Sequence, residues 1–435
     1  MSTTTSYNSL PLMEHMTYLF PYCRSITGSG TRETLSYFES YLPILSRVQF
    51  PSGTHCFDWV IPDEWNITDA YIKHLETGEC YLSFSDSNLH IVGYSEPVDI
   101  VMDLNLLLDN IYTVSDQPSV IPYVTSYYSR AWGFCSSQHV KDLLPSGNYK
   151  VKIDSSLAPG HLDLTHAIIP GVHTSEIFFS SYVCHPSLAN NELSGPVVLC
   201  ALLDYLQSSY PNPRFSYRFL LCPETIGSIA YLSRFSDSMK QNVISGFNLS
   251  CVGDDLSYSF VNSPYANTLA DKAIQASLIG FDNVIPYSYL ERGSDERQYC
   301  SPGLDLPLIT FCRTKFGKYP QYHTSADDLN FVSESGLCGS LSILKNIIDA
   351  FELCLFPRAI NLCEPQLGKR NLYPSLSSVV EEHPAKLRTD ILAFSNGSNS
   401  IFDITILLNV PLSSVISELR LLIDHNLVDS VYPAF

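Results

Sequence analysis

Basic residues are scarce in this chain of 435: 25 Lys and Arg stand against 44 Asp and Glu, a formal net charge of -19. Sequence-independent binding to nucleic acid or to an anionic membrane depends on clustered cations, so neither is expected as a partner. No run of about 18 uninterrupted apolar residues occurs, and the opening stretch MSTTTSYNSLPLMEHM lacks a basic segment followed by an apolar core and a small-residue cleavage site. A soluble, cytoplasmic protein is expected. None of the 13 cysteines forms a CxxC pair, and Cys200 and Cys251 among others lie in apolar runs, which fits buried thiols in a reducing compartment. HExxH, GxSxG, GxGxxG and the P-loop pattern are all missing, as are low-complexity tracts and repeats of roughly 20 to 50 residues.

What is present suffices for one large core and smaller ones: with 45% hydrophobic residues, the chain can form roughly two to four folding units. Residues 1–50 pair a helical pattern, RETLSYFESYLPIL, with a polar stretch, CRSITGSGTRE, suited to a loop leading into a helix. Over 51–165, strand-like pieces (HCFDWVI, AYIKHLE, HIVGYS, NYKVKI) alternate with Pro, Gly, Asn and Asp, which predicts an inserted, mainly-β domain. Within it IPYVTSYYSRAWGFC is aromatic-rich, the composition of a small β core or of a groove. From 166 to 370 the pattern is strand, loop, helix, repeated, which predicts an α/β domain with a mostly parallel sheet and helices on both faces. Residues 371–435 read helix, turn, helix, a turn with Pro411, a longer helix and a β-like tail, the order of a winged-helix domain. Its third helix carries Arg420 but also Glu418 and Asp424, without a basic face, so a protein contact is expected of it rather than DNA.

In open α/β sheets, ligands bind outside the carboxyl ends of the strands. Four predicted strands are followed by His185, by Glu224, by Asp254 and Asp255, and by His323. Nitrogen and carboxylate donors on one rim suit zinc with an open coordination position, where bound water becomes a nucleophile and a nearby carboxylate takes its proton. Each residue alone also has an ordinary reading: a hydrogen-bonded structural His, a helix-capping Glu224, a solvated Asp turn.

The loop ANNELSG, seven residues from Ala189 to Gly195, resembles that of the co-catalytic di-zinc exopeptidases. More closely, FPYCRSITGSGTRETL, FDWVIPDEWNI, IPYVTSYYSRAWGFC, CHPSLANNELSGP, PETIGSIAYL, CVGDD, GSDERQYCSPGLDLP and YHTSADD resemble a bacterial aminopeptidase-like family associated with polysaccharide biosynthesis, which carries an inserted β domain and a C-terminal winged helix. The resemblance implies a zinc-dependent hydrolase cleaving an amide in a peptide or in a small amino-acid or amino-sugar conjugate. It places His185 and His323 at two metal positions and shortens a paired Glu motif, base then ligand, to Glu224 alone for one of the two roles, of which the base is expected. The bridging Asp falls on Asn191, with Glu192 beside it as a further donor or support, and another carboxylate position falls on Ser250, leaving Asp254 as the nearest substitute. The resemblance therefore implies one zinc per chain, held by His185, His323 and Asp254, in place of two. RGSDERQYCSPG resembles the loop near the substrate pocket, which assigns Asp295, Glu296 and Arg297 to a charged end of a small peptide or amide substrate. The altered positions keep a second reading open, a catalytically degenerate scaffold or binding protein that forms a homo-oligomer through the winged helix or the insertion. The insertion is expected to overhang the rim.

Overall fold

Eight strands make the central sheet of the computed structural model, which describes residues 6–373 and 384–431. In spatial order they are Ser46–Pro51, His161–Ile169, Phe215–Cys222, His173–Tyr182, Val243–Leu249, Leu308–Cys312, Tyr258–Val261 and Val284–Tyr287. The four from Phe215–Cys222 to Leu308–Cys312 are mutually parallel. They are the four predicted strands followed by His185, Glu224, Asp254 and His323, and Phe215–Cys222 and Leu308–Cys312 are buried along their whole length, as a sheet covered on both faces requires. Antiparallel pairs extend the sheet on either side. Because the middle strands run the same way, their carboxyl ends share one rim.

Helices Leu12–Leu19, Ser194–Ser209, Leu269–Ser277 and Glu334–Cys354 share a core with Phe179, Phe219 and Phe247 on one face of the sheet. Helix Ile226–Asn242 and the insertion cover the other. Helix Ser194–Ser209 sits hard against the strands: a Cβ at Gly195 would lie 2.2 Å from Ser181 Oγ and 2.9 Å from the Leu249 carbonyl oxygen. Only glycine allows that approach.

The insertion contains a four-stranded antiparallel sheet in the order Cys80–Ser83, Glu64–His74, Asn148–Ala158, Val98–Asp103. HIVGYS forms no strand; it opens on the last residue of the short helical turn Asn88–His90 and makes isolated bridges, Ile91 to Phe134 and Gly93 to Thr125. Strand His161–Ile169 begins within the 51–165 stretch yet pairs with Ser46–Pro51 and Phe215–Cys222, so those residues belong to the central sheet.

At the C-terminal end, helices Pro384–Phe394, Ile401–Leu408 and Leu412–Asp424 precede Val428–Val431, which pairs antiparallel with Phe356–Ala359. The winged-helix unit thus takes its partner strand from before residue 371. Phe402 packs on Phe351 at 5.2 Å, and Leu419 and Leu422 join the large core. On the third helix Arg420 is exposed, while Glu418 is paired with Arg388 at 2.6 Å. Among the described residues no helix is long and apolar enough to cross a membrane.

Candidate functional site

His185 is delivered by the end of strand His173–Tyr182 and is only 4% exposed. Its Nδ1 donates to Glu192 Oε2 at 3.1 Å, an oxygen that also accepts from the Cys184 N–H. Glu192 Oε1 accepts from Arg24 Nε at 2.9 Å. Arg24 further donates to the carbonyls of His185 at 2.9 Å and Leu19 at 2.6 Å. Both charged side chains are fully shielded from solvent. With Nδ1 held by a carboxylate, Nε2 is the nitrogen left to face another partner, the way carboxylates orient metal-binding imidazoles. Cys184, His185 and Glu192 lie within 4.8 Å of one another, but they do not themselves form a cation pocket. Both Glu192 oxygens are occupied, the Arg24 guanidinium stands beside them, and burial followed by Glu192 pushes the Cys184 thiol well above its ordinary range.

His323 comes from the loop after strand Leu308–Cys312 and sits at φ 57°, in the left-handed region. Its ring stacks on Tyr322 at 3.9 Å, and its Nε2 meets Asn191 Oδ1 at 3.0 Å. Burial, and next the neighbouring His185, push this imidazole down to about 3, so it is neutral at ordinary pH. The two histidine rings are 5.4 Å apart, with Tyr123 of the insertion packed on both at 4.9 and 5.2 Å. Two imidazoles bound to one tetrahedral ion at ~2.0–2.1 Å would have centroids about 5 Å apart, so the separation suits a shared ion.

The two altered positions are closed into a neutral network. Asn191 Nδ2 donates to the Tyr182 hydroxyl, and that hydroxyl lies 2.6 Å from Ser250 Oγ. Asp327 ties the loop down, accepting from Asn190 N at 2.6 Å and Asn191 N at 2.9 Å; burial pushes its carboxyl up to about 6. Asp254, expected as a ligand, is placed elsewhere. Its oxygens accept from Thr314 Oγ1 (2.7 Å), Thr314 N (2.9 Å), Asn190 Nδ2 (3.0 Å) and Leu256 N (3.0 Å). Four donors leave it as a loop clamp, not a donor facing the histidines.

Glu224 follows strand Phe215–Cys222 and lines the same cavity as His185 and His323. The next residue, Thr225, has φ 64°, a strained setting for a β-branched side chain. Burial raises the Glu224 carboxyl, opposed by His185. Of the three charged residues expected at the substrate, only Arg297 is exposed; it donates to Thr225 Oγ1 at 2.9 Å. Asp295 is fully buried, accepting from Thr225 N at 2.7 Å and Ser228 Oγ at 2.8 Å, with no partner for Oδ2. Burial and then Glu224 push its carboxyl up to about 7. Glu296 is buried and accepts from Gly293 N, Ser294 N and Thr310 Oγ1, so it shapes the loop instead of meeting substrate.

The cavity has a volume of about 310 Å³ and is roofed by Trp59, Tyr123 and Tyr127 of the insertion. The roof is pinned to the His323 loop by Tyr123 N to the His323 carbonyl and Ser325 N to the Ile121 carbonyl, each 2.8 Å. Arg24, Asp327 and Tyr123 were not singled out as site residues from the sequence, although all three lie inside the motifs that carry the resemblance.

Residues 13–353 match the DUF4910 family, described as a domain of unknown function. The chain belongs to that family. Residues 356–430 match the winged helix-turn-helix family. A relative of this DUF4910 chain from Clostridium acetobutylicum, named a polysaccharide biosynthesis protein with an aminopeptidase-like domain, is 38% identical over 395 residues, 89% of this chain and 88% of its own. A solved Clostridium acetobutylicum structure described as a peptidase superposes with a TM-score of 0.88 at 35% identity, covering 97% of this chain and 96% of that one. A zinc aminopeptidase from Bacillus subtilis shares the fold, with a TM-score of 0.57 at 13% identity over 79% of this chain and 94% of its own. The DUF4910 chain therefore has the aminopeptidase-like α/β fold with a C-terminal winged helix.

Proposed function

We propose that the protein hydrolyses an amide in a small amino-acid or amino-sugar conjugate or peptide, using one zinc held by His185 and His323. What carries the reading is the pair of imidazoles 5.4 Å apart on the wall of a cavity, one of them braced by Glu192, with Glu224 lining the same cavity. The residues fit one ion and not two. Asn191 and Ser250 offer a neutral amide and a hydroxyl already engaged with Tyr182, and Asp254 is saturated. Bound there, zinc would polarise the amide carbonyl and acidify water. Glu224 then takes the proton of the attacking water and returns it to the leaving nitrogen. Arg297, exposed beside Thr225, is offered to a substrate carboxylate, while Tyr123 and Tyr127 of the insertion line the cavity with aromatic surface. The Clostridium relative is named for polysaccharide biosynthesis, which supports a saccharide-containing substrate over a plain peptide. All 13 cysteines are free and most are buried, which supports a reducing cytoplasm.

The network around Asn191 and Ser250 favours one second reading, a binding or scaffold protein on the same fold. Metal analysis of protein purified without chelator or metal-affinity resin, with a screen of aminoacyl and acyl-amide substrates, separates the two. About one zinc per chain with turnover supports the hydrolase; no metal and no turnover supports the scaffold.

A further inference from the structure

Trp59 lines two cavities, that of His185 and His323 and a neighbouring one of about 430 Å³ between the hairpin His55–Cys56/Trp59–Val60, helix Ile226–Asn242 and the Ser301–Leu304 loop. That volume lies within the ~300–1,000 Å³ typical of small-molecule sites. Its walls combine two kinds of surface. Phe57 and Trp59 stand 62% and 37% exposed at the hairpin tip, over an apolar floor of Ile229 and Leu232. Tyr128 meets Trp59 edge-on at 5.4 Å and continues the aromatic surface into the first cavity. Asp58, Asp237, Lys240 and Gln298 line the second cavity, and none of these side chains hydrogen-bonds or ion-pairs with another described residue.

We infer that this second cavity is a saccharide-binding subsite, holding the sugar part of a substrate whose scissile amide lies in the first cavity across Trp59. The inference deepens the proposed hydrolase reading and rests on it for the role of the first cavity. A pyranose ring presents an apolar face to an aromatic plane and a rim of hydroxyls that both donate and accept. Phe57 and Trp59 supply the planes. The two carboxylates accept from hydroxyls, the Lys240 ammonium donates to them, and the Gln298 amide does both. The two carboxylates outweigh the single ammonium, so an anionic ligand would be repelled, and an apolar side chain would strip water from polar groups while giving them nothing in return. A neutral polyhydroxylated ring satisfies all of them.

Isothermal titration of the full chain with N,N'-diacetylchitobiose, cellobiose and maltose, and with the dipeptide Phe-Phe as a non-sugar probe, tests this. Each titration is run with and without chelator. At least one disaccharide should bind saturably at millimolar concentration and quench tryptophan emission. Trp59→Ala should weaken that binding by about tenfold, and Asp237→Ala, on an exposed helix position, should weaken it several-fold with the fold intact by circular dichroism. The binding should persist in chelator, since no metal is invoked, so a protein that holds no zinc and turns nothing over can still show the subsite. Binding of no disaccharide, binding of Phe-Phe alone, or disaccharide binding unchanged in both variants overturns the inference.

Discussion

Replacing Arg24 by Met strands Glu192 as an ionised carboxylate with no cation beside it, in a place where both side chains are fully shielded. Three donated hydrogen bonds go at once, to Glu192 Oε1 and to the carbonyls of His185 and Leu19. Breaking a buried pair in this way costs ~3–5 kcal/mol, against ~1 kcal/mol or less for an exposed one. Glu192→Gln should cost a similar amount, because the guanidinium then faces an amide. The double replacement is different. The Gln oxygen can take the place of Oε2, accepting from Cys184 N and His185 Nδ1 as before, and the Met side chain fills the space of the Arg stem without a charge. The two carbonyls lose their donor, and the Gln amide nitrogen in place of Oε1 brings N–H groups that need an acceptor, about 1–3 kcal/mol for each group left unpaired. The double mutant should therefore be at least as stable as either single one, with a coupling energy of ~2 kcal/mol or more in the double-mutant cycle. Urea unfolding of chelator-stripped protein, followed by near-UV circular dichroism, measures all four corners. A cost below ~1 kcal/mol for Arg24→Met, or a double mutant whose loss is the sum of the single ones, would refute the buried-pair reasoning.

Asp254→Ala should leave Thr314 N, Asn190 Nδ2 and Leu256 N without an acceptor, losing ~2–4 kcal/mol of stability while zinc content is unchanged; loss of zinc at unaltered stability would restore it as a ligand. Asp295→Asn should flatten a pH dependence. With the folded carboxyl raised from 3.8 to about 7, the unfolded chain gives up its proton first, so stability falls as pH rises through that window and is highest below it. Asn has no such proton to lose, and urea midpoints at several pH values between these limits read the difference; an unchanged profile counts against a raised Asp295. Glu224→Gln should reduce turnover by ~10²–10⁴-fold and keep the zinc, as read by metal analysis beside the rate; a variant of normal rate would remove Glu224 as the base.

The parallel core strands and their order along the chain were legible because a strand buried on both faces is written mostly in apolar residues; only Ser216 and Arg218, the latter paired with Glu176, interrupt Phe215–Cys222, and only Thr310 interrupts Leu308–Cys312. Once those strands are parallel, topology alone brings His185, Glu224 and His323 to one rim, so the sequence by itself determined which residues could meet. It could not determine which way each side chain turns. Asp254 follows its strand as required, yet the backbone at Thr314 and Leu256 competes for its oxygens and wins. Asp295 and Glu296 carry charge in a loop that looks exposed, and the fold buries both. Arg24 lies 161 residues before His185 and Tyr123 comes from the insertion; neither spacing nor periodicity encodes such long-range contacts. Local pattern sets the strand and the helix, since those depend on neighbours along the chain. The site depends on neighbours in space, and only the packed structure decided that a shielded ion pair braces one histidine, that an amide faces the other, and that Tyr123 of the insertion packs on both.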